Sequence, residues 1–132
     1  MDEILKTIEN FHGHLGPYAV LGYKMGRIAC EKLGSDPFDK HVTVFTGTTP
    51  PISCLVDGIQ IGSGCTLGKG NISVKNELLP KAVFSNKNGD KIIISLQKKI
   101  QEEIETKVTE ENIIDYSADM YQRMDDDLFH ID

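Results

Sequence analysis

A chain of 132 residues with 39% hydrophobic content carries enough apolar material for one core and too little for two comfortable domains, so a single domain is expected. A formal charge of −6, with no Lys/Arg cluster interleaved with aromatics, argues against nucleic acid as a partner, because phosphate binding needs a basic face. No apolar run approaches the roughly 20 residues that span a bilayer, the start Met1-Asp2-Glu3-Ile4 lacks the regions of a secretory leader, and three cysteines at 30, 54 and 65 make no disulfide framework. A soluble protein of the reducing cytoplasm, with no membrane partner, is the expectation.

Residues 3–10 place Ile4, Leu5 and Ile8 on one stripe of a short amphipathic helix that ends where Phe11-His12-Gly13 begins. Pro17 suits the first turn of a second helix, whose Val20, Leu21, Met25, Ile28, Ala29 and Leu33 recur at helical spacing up to a stop at Gly34. Gly22 and Gly26 share one face of it. Each costs helix propensity of roughly 1 kcal/mol, which predicts a close neighbour there, another helix or a partner subunit. Residues 41–49 read as a strand closed by Pro50-Pro51, after which a helix over 53–62 carries Leu55, Val56, Ile59 and Ile61, with Ser53 as the candidate cap.

Gly62-Ser63-Gly64 stops that helix and leaves residues 65–70 as an exposed loop. Residues 72–75 read as a short strand. Ala82-Val83-Phe84 and Ile92-Ile93-Ile94 flank Asn88-Gly89 as a hairpin, and the isoleucine triplet predicts cover on both faces. The last third is helical, with one stripe through Leu96, Ile100 and Ile104 and, after a cap at Thr109, another through Ile113, Tyr116, Met120, Met124 and Leu128. This order fits an α+β domain with a mainly antiparallel sheet and helices packed on it.

Two short loops hold much of the reactive chemistry. His12-Gly13-His14 offers two imidazoles that a flexible glycine lets turn toward one ion, and Cys54 and Cys65 bracket a helix and a glycine-dense loop. If residues 54–62 are helical, at about 1.5 Å per residue the two thiols lie roughly 15 Å apart, so only one of them can join a histidine pair within one protomer. Cys54, near a helix N-terminus, is expected to have a lowered pKa, and Cys65, on the loop with Lys69, to be an exposed reactive thiol. Cys30 reads as core packing.

Asp57 and Gln60 follow Cys54 by three and six positions, either to orient a ligand or to form a solvated face. The loop fails the Walker A pattern, because Ser63 stands where Gly is required and Gly70 follows Lys69. A looser anion nest of the amides of 66–70 with Lys69 remains open beside a plain tight turn. Asp125-Asp126-Asp127 is read as a solvated tail at a helix C-terminus, opposing the helix dipole. His41 and His130 carry no partner signal.

Phe11-His12-Gly13-His14-Leu15-Gly16-Pro17, Cys54, Asp57-Gly58-Ile59-Gln60, Gly64-Cys65-Thr66, Gly68-Lys69-Gly70-Asn71 and the hairpin over 83–94 together resemble the core domain of the FmdE family of formylmethanofuran dehydrogenase proteins, over roughly residues 5–125. The resemblance implies an α+β core in an intertwined homodimer, without the C-terminal zinc-finger domain of some members, and an operon association with a molybdenum or tungsten enzyme. It carries over best to His14, Cys54, Asp57, Gln60, Cys65 and Lys69. Where that family reads His-Gly-His-x-Cys-Pro-Gly, this sequence has Gly16 and Tyr18 in place of the Cys and the final Gly.

The reading is of a domain that binds zinc or another transition metal through His12 or His14 and one of Cys54 and Cys65, beside a cleft floored by residues 62–71. Cys65, Asp57 and Lys69 are the candidate catalytic groups, and Gln60, Thr66, Gly68, Lys69 and Asn71 the candidate ligand-binding ones. Its role would be accessory, regulatory or small-molecule redox/C1 chemistry beside a formylmethanofuran dehydrogenase-type system. The alternative is a metal-free module that holds an anionic ligand or protein partner on the glycine loop.

Overall fold

Six helices and five strands follow one another as α1 (Glu3–His12), α2 (Pro17–Leu33), β1 (Lys40–Val44), α3 (Cys54–Ser63), β2 (Ile72–Val74), β3 (Lys81–Asn86), β4 (Lys91–Leu96), α4 (Lys98–Lys107), α5 (Ile113–Gln122), α6 (Asp125–Leu128) and β5 (Phe129–Ile131) in the computed structural model, which describes residues 1–132. The strands form one sheet in the order β2-β1-β3-β4-β5, in which only β1 and β2 run parallel. This is the expected α+β fold with a mainly antiparallel sheet. No helix is long and apolar enough to cross a membrane.

Local chemistry sets the helix ends. The Asp2 carboxylate accepts from the Ile4 amide at 2.8 Å and caps α1, and Gly13, at φ 102°, closes it in the left-handed conformation that glycine adopts most freely. Pro17 sits in the first turn of α2, and that helix buries Val20, Leu21, Met25 and Ala29 completely. Gly22 and Gly26 meet a helix of the same chain. A methyl on Gly22 would run into the Leu55 carbonyl, and one on Gly58 into that of Ala19, so α2 and α3 touch backbone to backbone, with Gly26 and Gly62 facing each other a turn further on.

Residues alternate cleanly across the sheet. Val42, Val44, Ala82, Phe84, Ile94 and Leu96 face the core, and His41, Thr43, Val83 and Ser95 take the other face. The isoleucine triplet is therefore covered on one side within the protomer: Ile94 is fully buried and Ile92 packs on the core, whereas Ile93 is half-exposed beside Val83. The last helical stripe also ends earlier than its spacing predicts. Arg123 turns extended, α6 is a single turn, and Phe129–Ile131 add a fifth strand to β4 that buries Phe129. Asp125, Asp126 and Asp127 consequently lie in the first turn of α6, where a helix dipole favours carboxylates, and not at a helix C-terminus.

Two ionic devices hold the C-terminal third. The Lys24 ammonium donates to the carbonyls of Met120 at 3.2 Å, Tyr121 at 2.9 Å and Arg123 at 2.6 Å, capping α5 from α2. Arg123 makes a two-pronged pair with Glu103, at 3.1 and 2.6 Å, that joins α5 to α4.

The α2–α3 contact makes a direct prediction. Gly22→Ala and Gly58→Ala should each lower unfolding stability by about 3 kcal/mol or more, because the obstructing atoms are backbone and have no rotamer to yield. Gly68→Ala, which would meet nothing within 4 Å, should stay within about 0.5 kcal/mol of the parent. Urea titration followed by circular dichroism measures both.

Candidate functional site

The end of α1 and the start of α3 meet at the site. His12 is the last residue of α1, Gly13 reverses the chain, and His14 stands beyond it with its ring 4.9 Å from that of His12. The turn at Gly13 leaves the two imidazoles side by side. Cys54 opens α3 and Asp57 lies one turn along it. Asp57 Oδ2 lies 2.6 Å from His12 Nδ1, with the His12 side chain 10% and the Asp57 side chain 37% exposed. With Nδ1–H donating to the carboxylate, the ring is fixed in orientation and its Nε2 is left to accept a proton or bind a ligand.

A cleft of about 650 Å³ opens here. His12, His14 and Cys54 line it together with the Pro17 and Ala19 end of α2 and the segment Thr49–Ile52, which contains a cis Pro50-Pro51 bond. The α4 side contributes Gln101, Ile104 and Glu105, and Val108 and Ile113 add apolar wall. Its composition, mostly apolar with a few polar groups, is that of a small-molecule site. The Tyr18 phenol in this lining is pushed up to about 12, first by burial and then by the Glu105 charge, so it remains a neutral hydroxyl.

The thiols differ from their expected states. Cys54 is half-buried, and its pKa is raised rather than lowered, first by burial and then by the Asp57 carboxylate. The helix end offers it little compensation, because the amides of Cys54, Leu55 and Val56 already donate to the carbonyls of Pro51, Ile52 and Ser53. Ser53 occupies the cap position without a side-chain cap bond. Cys65 is fully buried and not an exposed loop thiol. Left-handed Gly64 turns the chain inward, the Cys65 amide bonds Ser63 Oγ at 3.0 Å, and burial pushes its thiol up, while Leu67 takes the exposed place at 82%. Cys30, expected in the core, is half-buried against the Gly62 carbonyl.

The glycine loop lies at the other end of α3 and does not floor the cleft. Its polar groups serve one another. The Thr66 amide donates to Asn71 Oδ1 at 2.9 Å, that of Leu67 to Gln60 Oε1 at 3.4 Å, and that of Gly70 to the Leu67 carbonyl at 3.0 Å. Lys69 bonds Thr66 Oγ1 through both its amide and its ammonium at 3.3 Å, and Asn71 Nδ2 donates to the Pro37 carbonyl at 2.8 Å. Of the amides expected to form an anion nest, Gly68's is the one these bonds leave uncommitted. None of Gln60, Thr66, Gly68, Lys69 and Asn71 lines the cleft, and the side chains of Gln60, Thr66, Lys69 and Asn71 are engaged in and around this turn.

The cleft supplies donor types that suit a transition ion: an imidazole anchored by a carboxylate, a second imidazole and a thiol. They do not form an assembled ligand set, since no three His, Cys, Asp or Glu side chains converge closely enough to hold an ion. Sequence reasoning missed Tyr18, Gln101 and Glu105. The signal for the last two was their spacing of four around Ile104, which puts polar groups beside an apolar stripe.

The sequence matches the profile of the FmdE family, described as "Molybdenum formylmethanofuran dehydrogenase operon", over residues 11–130. A "Probable S-adenosyl-L-methionine-binding protein" of Archaeoglobus fulgidus is 36% identical over 75 residues, covering 54% of this chain and 20% of that protein. The chain spans about a fifth of the length of that relative. A crystal structure of a tungsten formylmethanofuran dehydrogenase FmdE-like protein from Syntrophus aciditrophicus superposes with a TM-score of 0.68 at 18% identity, over 98% of this chain and 69% of that one. That likeness shows the fold.

Burial orders the thiols for a labelling experiment. Cys54 and Cys30 should be alkylated well before Cys65, with Cys54 needing pH above its ordinary 9.0 for full reactivity because only the thiolate attacks. Timed iodoacetamide labelling with mass spectrometry reads the order, and Cys65 reacting first would contradict the burial found here.

Proposed function

Because the chain belongs to the FmdE family, we propose that it is a small-molecule-binding accessory domain of a formylmethanofuran dehydrogenase-type C1 system, working through the cleft at His12 and Asp57. The observation that carries this reading is the 2.6 Å His12–Asp57 pair at the edge of a largely apolar cleft. Apolar walls bind the body of a ligand. An imidazole held by a carboxylate fixes one polar atom of it and takes up or returns a proton. The name of the Archaeoglobus fulgidus relative supplies the first probe, S-adenosyl-L-methionine, though most of that protein lies outside the match. A homodimer, a molybdenum or tungsten enzyme as partner, and a cytoplasmic setting belong to the same proposal. The half-exposed Val83 and Ile93 support the first, and the three free cysteines support the last.

A second reading, a transition-metal site with zinc as the first candidate, is favoured by His12, His14 and Cys54 lining one cleft. Gly16 bears on it directly. A Cβ at that position would lie 3.4 Å from His14 Nε2, in ordinary contact, so a cysteine there would bring a thiol beside the imidazoles.

Two titrations test these readings. Calorimetry should show S-adenosyl-L-methionine binding to the parent and not to Thr49→Trp, which plants a ring in the cleft from an exposed position. Zinc competition with a chromophoric chelator should show weak binding, loosened roughly tenfold or more by His14→Ala and tightened by Gly16→Cys. Absence of ligand binding overturns the first reading, and indifference to both substitutions overturns the second.

A further inference from the structure

Gln101, Ile104, Glu105 and Val108 recur at helical spacing along α4 and its end, and all four line the cleft. Glu105 is the one carboxylate in that lining, and no lysine or arginine accompanies it. It forms none of the ion pairs of the fold, which engage Asp57, Asp125, Glu103 and Asp119. Its neighbours in the lining, the Tyr18 hydroxyl and the Gln101 amide, are neutral. Asp57, behind His12, adds a second negative charge next to the cleft. Glu105 thus gives the cleft a carboxylate with no cation in ion-pair contact, in a lining whose other titratable groups include the imidazoles of His12 and His14.

We infer that the cleft selects an organic cation that carries an apolar or aromatic portion, and that Glu105 is the residue that sets this preference. The inference rests on the reading of the cleft as a small-molecule site. The apolar walls accept the body of such a ligand, and the carboxylate rewards positive charge on it. An anion of the same shape is repelled, and a neutral analogue forgoes the charge interaction. Because Glu105 is exposed, that interaction is worth what a surface pair is worth, up to about fivefold in affinity.

S-adenosyl-L-methionine and S-adenosyl-L-homocysteine share a body and differ by one methyl group and the positive charge on sulfur, so they serve as a cationic and a less charged probe. Calorimetry at low salt should give the parent protein a preference for the sulfonium of up to about fivefold, which Glu105→Gln removes by weakening the sulfonium more than the thioether. The substituted side chain is exposed and unpaired, so its melting temperature should match the parent's. Equal affinities in the parent, or a preference that survives Glu105→Gln, overturn the inference while leaving the cleft reading standing. Failure of both probes to bind overturns that reading itself.

Discussion

Everything that positions the cleft depends on how closely α2 and α3 approach. Gly22 and Gly26 on one helix and Gly58 and Gly62 on the other remove side chains from the contact, so the helices meet at their backbones. Glycine inside a helix costs about 1 kcal/mol each against alanine, and close packing offsets that cost only if the helices meet over their length. The meeting fixes the N-terminal end of α3 against the turn between α1 and α2. That brings Asp57 within hydrogen-bond reach of His12, 45 residues away in sequence, and places Cys54 in the same cleft.

The chemistry of the site follows from its uneven burial. His12 is nearly covered, so its hydrogen bond to Asp57 meets little competition from water, and the carboxylate stays open enough to remain solvated. The Cys54 thiol gains no comparable partner, and burial with a neighbouring carboxylate keeps it protonated. The site as built is therefore better at orienting and proton handling than at thiolate chemistry.

The helices were legible where apolar spacing was regular: α1, α2 and α3 begin and end within two residues of the expected positions, because Gly13, Pro17, Gly34 and Gly64 act locally. Gly22 and Gly26 announced a close neighbour. What spacing could not supply was the identity of that neighbour, which depends on Gly58 and Gly62 being brought opposite by the fold. The same limit hid β5, whose three residues become a strand only by pairing with β4. Cys65 misled because glycines on both sides suggest exposure, whereas left-handed Gly64 sets the direction in which the next side chain points. His12, His14, Asp57 and Cys54 were each visible as chemistry, and the histidines were expected beside one of two thiols, but that the thiol is Cys54, that His12 pairs with Asp57, and the part of Glu105 in the lining came from tertiary contact.

Lys24 shows what burial does to an ordinary surface residue. All three of its ammonium hydrogens are spent on carbonyls at the end of α5, and burial depresses its pKa. A lysine held this way is a poor target for acylating reagents and modifying enzymes, which need the free amine to swing outward. The last turn of α5, for its part, has traded fraying into solvent for attachment to the middle of α2. Opening of the C-terminal third is thereby tied to the glycine-packed helix pair, and slow amide exchange should extend from α2 into a helix end that would otherwise exchange fast.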